Sequence, residues 1–197
     1  MSTGVAWYAA YGSNTDEERF RRYLAGCTQP AEPADSRPFV IDLPLYFAGT
    51  TSKRWGDGGV AFASTDRDAV PATLARVWLL PVDRIAEIGA QENGLSLADA
   101  ALDLDEVIAT GRHRAHASRW YDAWIDCGTL DDLPVVTLTA TEPRSPVNAP
   151  SQRYAQVVAR GLRATHGMTR EAVATYLADR TKLPEATLME WQSGGEG

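Results

Sequence analysis

Short apolar segments separated by turn-forming residues dominate the chain up to about residue 142, and this pattern predicts strands. The clearest of them, PATLARVWLLP, is rich in Val, Leu and Trp and is bounded by prolines. The predicted strands are residues 5–11, 39–49, 58–65, 71–81, 119–128 and 134–142.

A change to helical spacing marks the remaining elements. Val82, Ile85 and Ile88 lie on one face, and Asn93-Gly94 provides a stop. The predicted helices are residues 15–25, 81–93, 152–167, 169–181 and 183–191. Their expected N-caps are Thr15 (in a capping box with Glu18), Ser151 and Thr169. Because no βαβα rhythm appears and helices concentrate at the C-terminus, the pattern indicates an α+β fold with a mainly β core.

Three stretches have no clear period. Residues 95–117 resemble a helix or a lid-like insertion, and residues 142–151 form a proline-rich connection. Residues 192–197 are expected to be a frayed tail. The 197-residue length and the ordinary composition predict one domain that spans residues 1–197.

Net charge excludes some partners. At −7, and with a sequence pI of about 5.0, the chain is a poor candidate for non-specific nucleic-acid binding. Arg19, Arg21 and Arg22 lie among acidic residues, which we interpret as a solvated helix face.

No apolar stretch approaches the roughly 20 residues of a membrane span, and no export signal is recognisable. We therefore expect a cytoplasmic protein with reduced Cys27 and Cys127, although one disulfide remains an alternative.

The sharpest local feature is the turn after the first apolar run, where Tyr11 is followed by Gly12, Ser13 and Asn14. A strand that ends here and enters a helix points several backbone N–H groups in one direction, and the helix dipole adds to them. This arrangement suits a carboxylate or a phosphate. The alternative is an ordinary capped turn, since acidic residues at 16–18 already complement the dipole.

Five segments in order resemble the gamma-glutamylcyclotransferase-like family. YAAYGSN resembles its Tyr-Gly-Ser-Asn loop, and IAEIGAQENG its helix that ends in a catalytic Gln-Glu-Gly. RWGDGGVAFA and ARVWLL are similar to two of its strands, and NAPSQRYAQVVARGL is similar to its Pro-Ser-x-x-Tyr helix. The resemblance covers most of residues 5–165.

The resemblance implies a mixed, closed β-barrel flanked by helices, with the site at its mouth. It implies a cofactor-free reaction without a metal, in which a γ-glutamyl amine or amide closes to 5-oxoproline and releases a free amine. Glu92 would be the catalytic carboxylate. The substrate-binding residues would be Tyr11, Gly12, Ser13, Asn14, Tyr154 and, more loosely, Tyr121. Among the tryptophans, Trp55 and Trp120 are the candidates for meeting the ligand.

The chemistry needs one group that takes a proton from the substrate ammonium and later gives one to the departing amine. An exposed Glu, with a pKa of about 4.3, is poorly matched to this task, and partial burial would raise that pKa. Apolar Ile85, Ile88 and Leu95 near Glu92 are compatible with such burial.

This chain departs from the family pattern at several positions. Asn93 comes between Glu92 and Gly94, and residues 93–118 separate Glu92 from the next predicted strand. Leu138 stands where a further pocket tyrosine would be expected. The walls that select the leaving amine therefore look altered, and glutathione is a poor default substrate.

Other functions remain as alternatives. His113, His116 and Cys127 could form a metal site, and Ser13 could be a nucleophile with His166 as its base. No Walker A motif or dinucleotide fingerprint is present. A binding module that kept the fold without turnover is the alternative from another class. The identity of the amine and the oligomeric state stay open.

Overall fold

The computed structural model describes residues 4–66, 72–116 and 120–193. The strands of these residues are β1 (Val5–Ala10), β2 (Asp35–Ile41), β3 (Leu45–Ala48), β4 (Thr51–Ser52), β5 (Gly56–Asp57), β6 (Val60–Ala63), β7 (Thr73–Pro81), β8 (Arg112–His113), β9 (Ala123–Leu130) and β10 (Leu133–Thr139). The helices are α1 (Glu17–Ala25), α2 (Val82–Glu92), α3 (Leu104–Thr110), α4 (Gln152–His166), α5 (Arg170–Thr181) and α6 (Glu185–Ser193). No helix within these ranges is both long and apolar enough to cross a membrane.

A six-stranded mixed sheet in the order β2-β7-β1-β10-β9-β8 organises the fold. Strand β1 lies inside it, antiparallel to β7 and parallel to β10. Its side chains alternate between two hydrophobic clusters, with Trp7 and Ala9 in one and Ala6 and Tyr8 in the other. Because both faces of β1 are covered, its sequence is an unbroken apolar run, as expected of a strand buried on both sides.

The expected closed barrel is not confirmed. Among the described residues, the ladders of the large sheet end at β2 and β8, and β3–β6 and β4–β5 form separate two-stranded sheets. Side chains, rather than another strand, occupy the outer edge of β6. The Thr139 hydroxyl accepts from the Ala63 N–H at 3.1 Å and donates to the Ala63 carbonyl at 2.7 Å. Because these groups are satisfied, β6 and β10 lie side by side without a backbone ladder.

Residues 95–116 of the predicted insertion belong to the sheet edge. They contain a 3₁₀ turn, helix α3 and strand β8, which pairs with β9. Leu104 and Val107 are buried in the cluster that contains Tyr8, and the Trp124 indole donates to the carbonyl of Ala101. Residue 117 lies outside the described residues.

The predicted helix ends are partly correct. Ser151 and Thr169 cap α4 and α5 through their side chains, as predicted. The capping box of Thr15 and Glu18 is wrong: a 3₁₀ turn spans Ser13–Thr15, and Asp16 caps α1 instead. At the other end of the chain, α6 includes residues 192 and 193, which were expected in a frayed tail, whereas 194–197 lie outside the described residues.

Candidate active site

The loop that follows β1 is held firmly from within and from β7. The Gly12 carbonyl accepts hydrogen bonds from the Thr15 N–H at 3.1 Å and from the Thr15 hydroxyl at 2.8 Å. The Trp78 indole donates to the Asn14 carbonyl at 3.1 Å. The turn uses the N–H groups of Thr15 and Asp16, which donate to the carbonyls of Gly12 and Ser13.

Gly12 is required by a close approach. A Cβ at this position would lie 2.7 Å from the Tyr154 hydroxyl oxygen and 3.2 Å from the Cβ of Ala61. The loop, β6 and α4 therefore meet at this residue.

Glu92 ends helix α2 and contacts the loop directly. The Asn14 Nδ2 group donates to Glu92 Oε1 at 2.6 Å, which joins residues 78 positions apart. Asn93, the residue that departs from the family pattern, caps the helix. Its Nδ2 group donates to the Tyr121 carbonyl at 2.8 Å, and its Oδ1 atom accepts from the Tyr121 N–H at 3.0 Å. The extra residue thus ties the end of α2 to a wall of the pocket.

Tyrosines and a tryptophan form the other walls. The Tyr121 hydroxyl donates to the Ala61 carbonyl at 3.1 Å, and the Tyr154 hydroxyl accepts from the Ala61 N–H at 3.3 Å. Trp55 packs edge-on against Tyr154, with ring centroids 4.9 Å apart. The Tyr11 hydroxyl donates to the carbonyl of Leu138 at 2.8 Å, and both residues line the pocket.

All eight site residues that the sequence analysis selected line this one pocket. They are Tyr11, Gly12, Ser13, Asn14, Trp55, Glu92, Tyr121 and Tyr154. The pocket contains about 430 Å³ that protein atoms do not fill, and it opens to solvent. Leu138 also lines it, whereas Trp120 does not; its ring packs against Phe62 and remains 40% exposed. The expectation that Trp120 meets the ligand therefore has no support in this geometry.

Other contributors to the site were missed. Tyr8, Ala10, Val60 and Ala61 line the pocket, and only the apolar strand pattern could have indicated them. Gln91, which precedes Glu92, turns away from the pocket: its Nε2 group donates to the carbonyl of Tyr23 at 3.1 Å.

Comparisons with known proteins identify solved structures that share this architecture. No family model matches the chain. A solved structure described as gamma-glutamyl cyclotransferase matches with a TM-score of 0.54 and 17% identity, over 98% of this chain and 100% of the other. This chain has a gamma-glutamyl cyclotransferase-like fold. A human protein described as uncharacterized matches the same fold with a TM-score of 0.51 and 17% identity, over 96% and 98% of the two chains.

One curated relative is similar in sequence. Histone deacetylase 5 of Arabidopsis thaliana is 25% identical over 205 residues, which cover 90% of this chain and 31% of that protein. This gamma-glutamyl cyclotransferase-like chain thus spans under a third of the relative's length.

Within the gamma-glutamyl cyclotransferase-like fold, burial sets the electrostatics of the pocket. Desolvation raises the pKa of Glu92 above its ordinary value of 4.5, while a hydrogen bond from Tyr23, the charge of Arg19 and a hydrogen bond from Asn14 counteract it. Burial also raises the pKa of Tyr154 to about 12 and that of Tyr8 further still. These phenols stay protonated near neutral pH, so Glu92 is the pocket group suited to exchanging a proton.

The geometry does not support the alternative metal site of His113, His116 and Cys127 or the alternative pair of Ser13 and His166. His113 Nδ1 lies 2.6 Å from a carboxylate oxygen of Glu106, and no group of three or more His, Cys, Asp or Glu side chains in the described ranges is arranged to hold a metal ion. His166 Nε2 donates to the carbonyl of Ala75 at 3.0 Å, and His166 is not a lining residue of the pocket that contains Ser13.

Proposed function

We propose that this protein is a cofactor-independent cyclotransferase that converts a γ-glutamyl amine or amide into 5-oxoproline and a free amine. The observation that carries the proposal is the 2.6 Å hydrogen bond between Asn14 and Glu92 inside a pocket walled by tyrosines. It brings an anion-binding turn and a carboxylate of raised pKa to one place. The fold likeness to gamma-glutamyl cyclotransferase supports the same class of reaction.

The γ-glutamyl group would bind between the loop and Glu92. Backbone N–H groups of the Gly12–Asn14 loop would supply donors for an anionic oxygen of the substrate. The Asn14 Oδ1 atom is buried and has no hydrogen-bond partner among the described residues. Because an ammonium group carries several donors, the substrate α-ammonium can satisfy both this orphan oxygen and Glu92.

The reaction would then proceed through proton transfers at both nitrogen atoms. Glu92 takes a proton from the α-ammonium, and the resulting amine attacks the γ-carbonyl carbon to form the N–C bond of the five-membered ring. The ring nitrogen is then cationic, and it releases its second proton to solvent. Backbone N–H groups of the loop stabilise the oxyanion that develops on the carbonyl oxygen. As the bond to the departing nitrogen breaks, protonated Glu92 gives its proton to that nitrogen, and 5-oxoproline and the free amine leave.

Positioning accounts for much of the expected rate. Nucleophile and electrophile belong to one molecule, and oriented intramolecular reactions reach effective molarities of about 10⁵–10⁸ M. Tyr11, Tyr121 and Tyr154 have their hydroxyls fixed on backbone groups, so the pocket is rigid before substrate arrives. A rigid pocket favours the folded conformer of the γ-glutamyl chain that the ring closure needs.

The proposal also includes an enclosed β structure around the pocket, in which side chains take the place of a missing backbone ladder. Hydroxyl groups of Thr139, Tyr121 and Tyr154 join β6 to the neighbouring elements where a backbone ladder is missing. We infer that these side chains complete the enclosure around the substrate. The deacetylase activity named for the Arabidopsis relative is not carried over, because this chain matches 31% of that protein.

The test is release of 5-oxoproline from a panel of γ-glutamyl amines with small, aromatic and sugar-linked amine groups. Glu92→Gln keeps the shape and the oxygen that Asn14 contacts but cannot exchange the proton. We expect its kcat to fall by roughly 10²–10⁴, the usual contribution of general acid–base catalysis. The matched control is Glu190→Gln at an exposed position of α6, which should retain wild-type activity.

Two outcomes would contradict the proposal. Undiminished turnover in a folded Glu92→Gln variant would remove Glu92 from the chemistry. If the panel yields no 5-oxoproline while γ-glutamyl compounds still bind, as measured by calorimetry, the protein is a binding module on this fold.

A further inference from the structure

A buried cation lies on the helix that follows the binding loop. Arg19 of α1 is 5% exposed, and no carboxylate of the described residues forms a salt bridge with its guanidinium group. Its Nε atom is buried without a hydrogen-bond partner in the same part of the chain. Buried charges are normally paired, because an isolated one is costly to desolvate. The position of Arg19 therefore requires an explanation.

Arg19 is directed at the phenol of Tyr23, one helical turn further along α1. Its NH2 group donates to the Tyr23 hydroxyl at 2.7 Å, and its Cζ atom lies 4.2 Å from the centroid of the Tyr23 ring. The ring of Trp55 lies on another side of the guanidinium, 5.7 Å from Cζ. These contacts hold the positive charge at a fixed place beside the pocket wall.

Tyr23 connects Arg19 to Glu92. Tyr23 lies next to the end of α2, because its carbonyl accepts from Nε2 of Gln91, the neighbour of Glu92, at 3.1 Å. The Tyr23 hydroxyl accepts from Arg19, and hydrogen bonding by Tyr23 lowers the pKa of Glu92 against the effect of burial. A phenol that accepts from a cation becomes a stronger donor, so its hydrogen bond to the carboxylate is strengthened. Neither Arg19 nor Tyr23 is a lining residue of the pocket, so neither is placed to contact the substrate directly.

We propose that Arg19 and Tyr23 are positioning residues for Glu92, which hold its carboxylate in place beside Asn14 at the contact between α1 and the end of α2. The inference rests on the proposed function for its role in turnover. Its physical content, an effect on the ionisation of Glu92, holds for the protein whether or not it turns over a γ-glutamyl substrate.

The other groups that face Glu92 define what must stay unchanged in a test. They are Tyr8 of β1, Asn14 of the loop, Arg54 of the β4–β5 turn, Tyr121 of the segment before β9, and Tyr154 of α4. Arg54 is the further cation of this set, and it is exposed, so solvent and salt screen it more than Arg19.

The direct test is an NMR titration of the Glu92 carboxyl carbon in protein labelled with carbon-13 glutamate, assigned with Glu92→Gln. We expect the midpoint to move to higher pH in Tyr23→Phe and in Arg19→Met. Arg19→Lys retains the positive charge and should move it by less than Arg19→Met does. Unchanged or lowered midpoints in both Tyr23→Phe and Arg19→Met would overturn the proposal.

A matched control separates this effect from a general loss of packing. Tyr176→Phe also removes a phenol hydroxyl from a tyrosine whose ring stacks on an arginine, with Arg180 Cζ 3.7 Å from the ring centroid. Tyr176 lies on α5 and is not a lining residue of the pocket. It should leave the Glu92 midpoint unchanged. A shift of equal size in this variant would assign the effect to packing and overturn the proposal.

Kinetics then test the link to function. In an active enzyme, the acid limb of the pH profile of kcat/KM should move to higher pH in Tyr23→Phe. Losing a hydrogen bond to a charged group should lower kcat/KM roughly ten- to hundredfold on that limb. The high-pH plateau of kcat/KM should stay close to that of the wild type. A uniform loss at all pH values would contradict the positioning role. If the wild-type protein releases no 5-oxoproline, the proposed function fails while the NMR titration still decides the proposal.

Discussion

Replacing Gly12 by Ala is expected to destabilise the protein mainly through a clash with one oxygen atom, and the substitution should cost less free energy when that oxygen is absent. The added Cβ would lie 2.7 Å from the Tyr154 hydroxyl oxygen and 3.2 Å from Ala61 Cβ. Ordinary contacts of a Cβ atom are 3.4 Å or longer, so the first of these must shift. Tyr154→Phe removes the oxygen and leaves the ring in place.

The energies can be worked out from these contacts. Overpacking of a tight site costs about 1–3 kcal/mol, which we assign to Gly12→Ala. Tyr154→Phe loses the acceptor for the Ala61 N–H, and leaving such a buried donor unsatisfied costs about 1–3 kcal/mol. In the double variant the shortest clash is gone. The two changes should therefore be less damaging together than their sum, by about 1–2 kcal/mol.

Urea unfolding followed by circular dichroism measures the four free energies of the cycle. Gly12→Ala combined with Tyr46→Phe is the matched control, because the Tyr46 hydroxyl also accepts a backbone N–H, from Arg144 at 2.9 Å, but does not face Gly12. That pair should be additive. If Gly12→Ala and Tyr154→Phe are also additive within about 0.5 kcal/mol, the steric account of Gly12 is refuted.

Two further predictions concern stability. Because burial raises the pKa of Glu92 above 4.5, the folded state binds the proton more tightly, and wild-type stability falls as pH rises from 4.5 through that raised pKa. Glu92→Gln should therefore be more stable than wild type at neutral pH, and the gain in Tm should vanish at acidic pH; a pH-independent difference would contradict this. Gly161→Ala should lose about 1–3 kcal/mol in urea unfolding, because its Cβ would lie 2.6 Å from the backbone N of Asp16; an unchanged midpoint would show that α4 can shift.

Local features were predictable from the sequence because they depend on few residues. The apolar run of β1 and the helical spacing of Val82, Ile85 and Ile88 mark elements that the structure contains. Ser151 caps α4 because its own side chain reaches the N–H of Tyr154. The Glu92 and Asn14 contact came from the family resemblance, since nothing local brings together residues that are 78 positions apart.

The edges of the sheet were not predictable in the same way. Whether a set of strands closes depends on what binds the free edge of each strand, and at β6 these groups are the side chains of Thr139, Tyr121 and Tyr154. A hydroxyl that bonds to a distant backbone leaves no periodic trace in a sequence. The family likeness alone therefore overstated the regularity of the β structure here.

The interpretation of the arginines of α1 as a solvated face fails at one position, for a reason that the sequence contains. Arg21 and Arg22 do pair on the surface with acidic residues one turn earlier. Arg19, however, shares a stripe with Phe20 and Tyr23, and both of these are buried. The period of the apolar residues could thus have placed Arg19 inside the protein. The carboxylate on which its charge acts could not be read in this way, because it lies on another helix and only the fold brings it near.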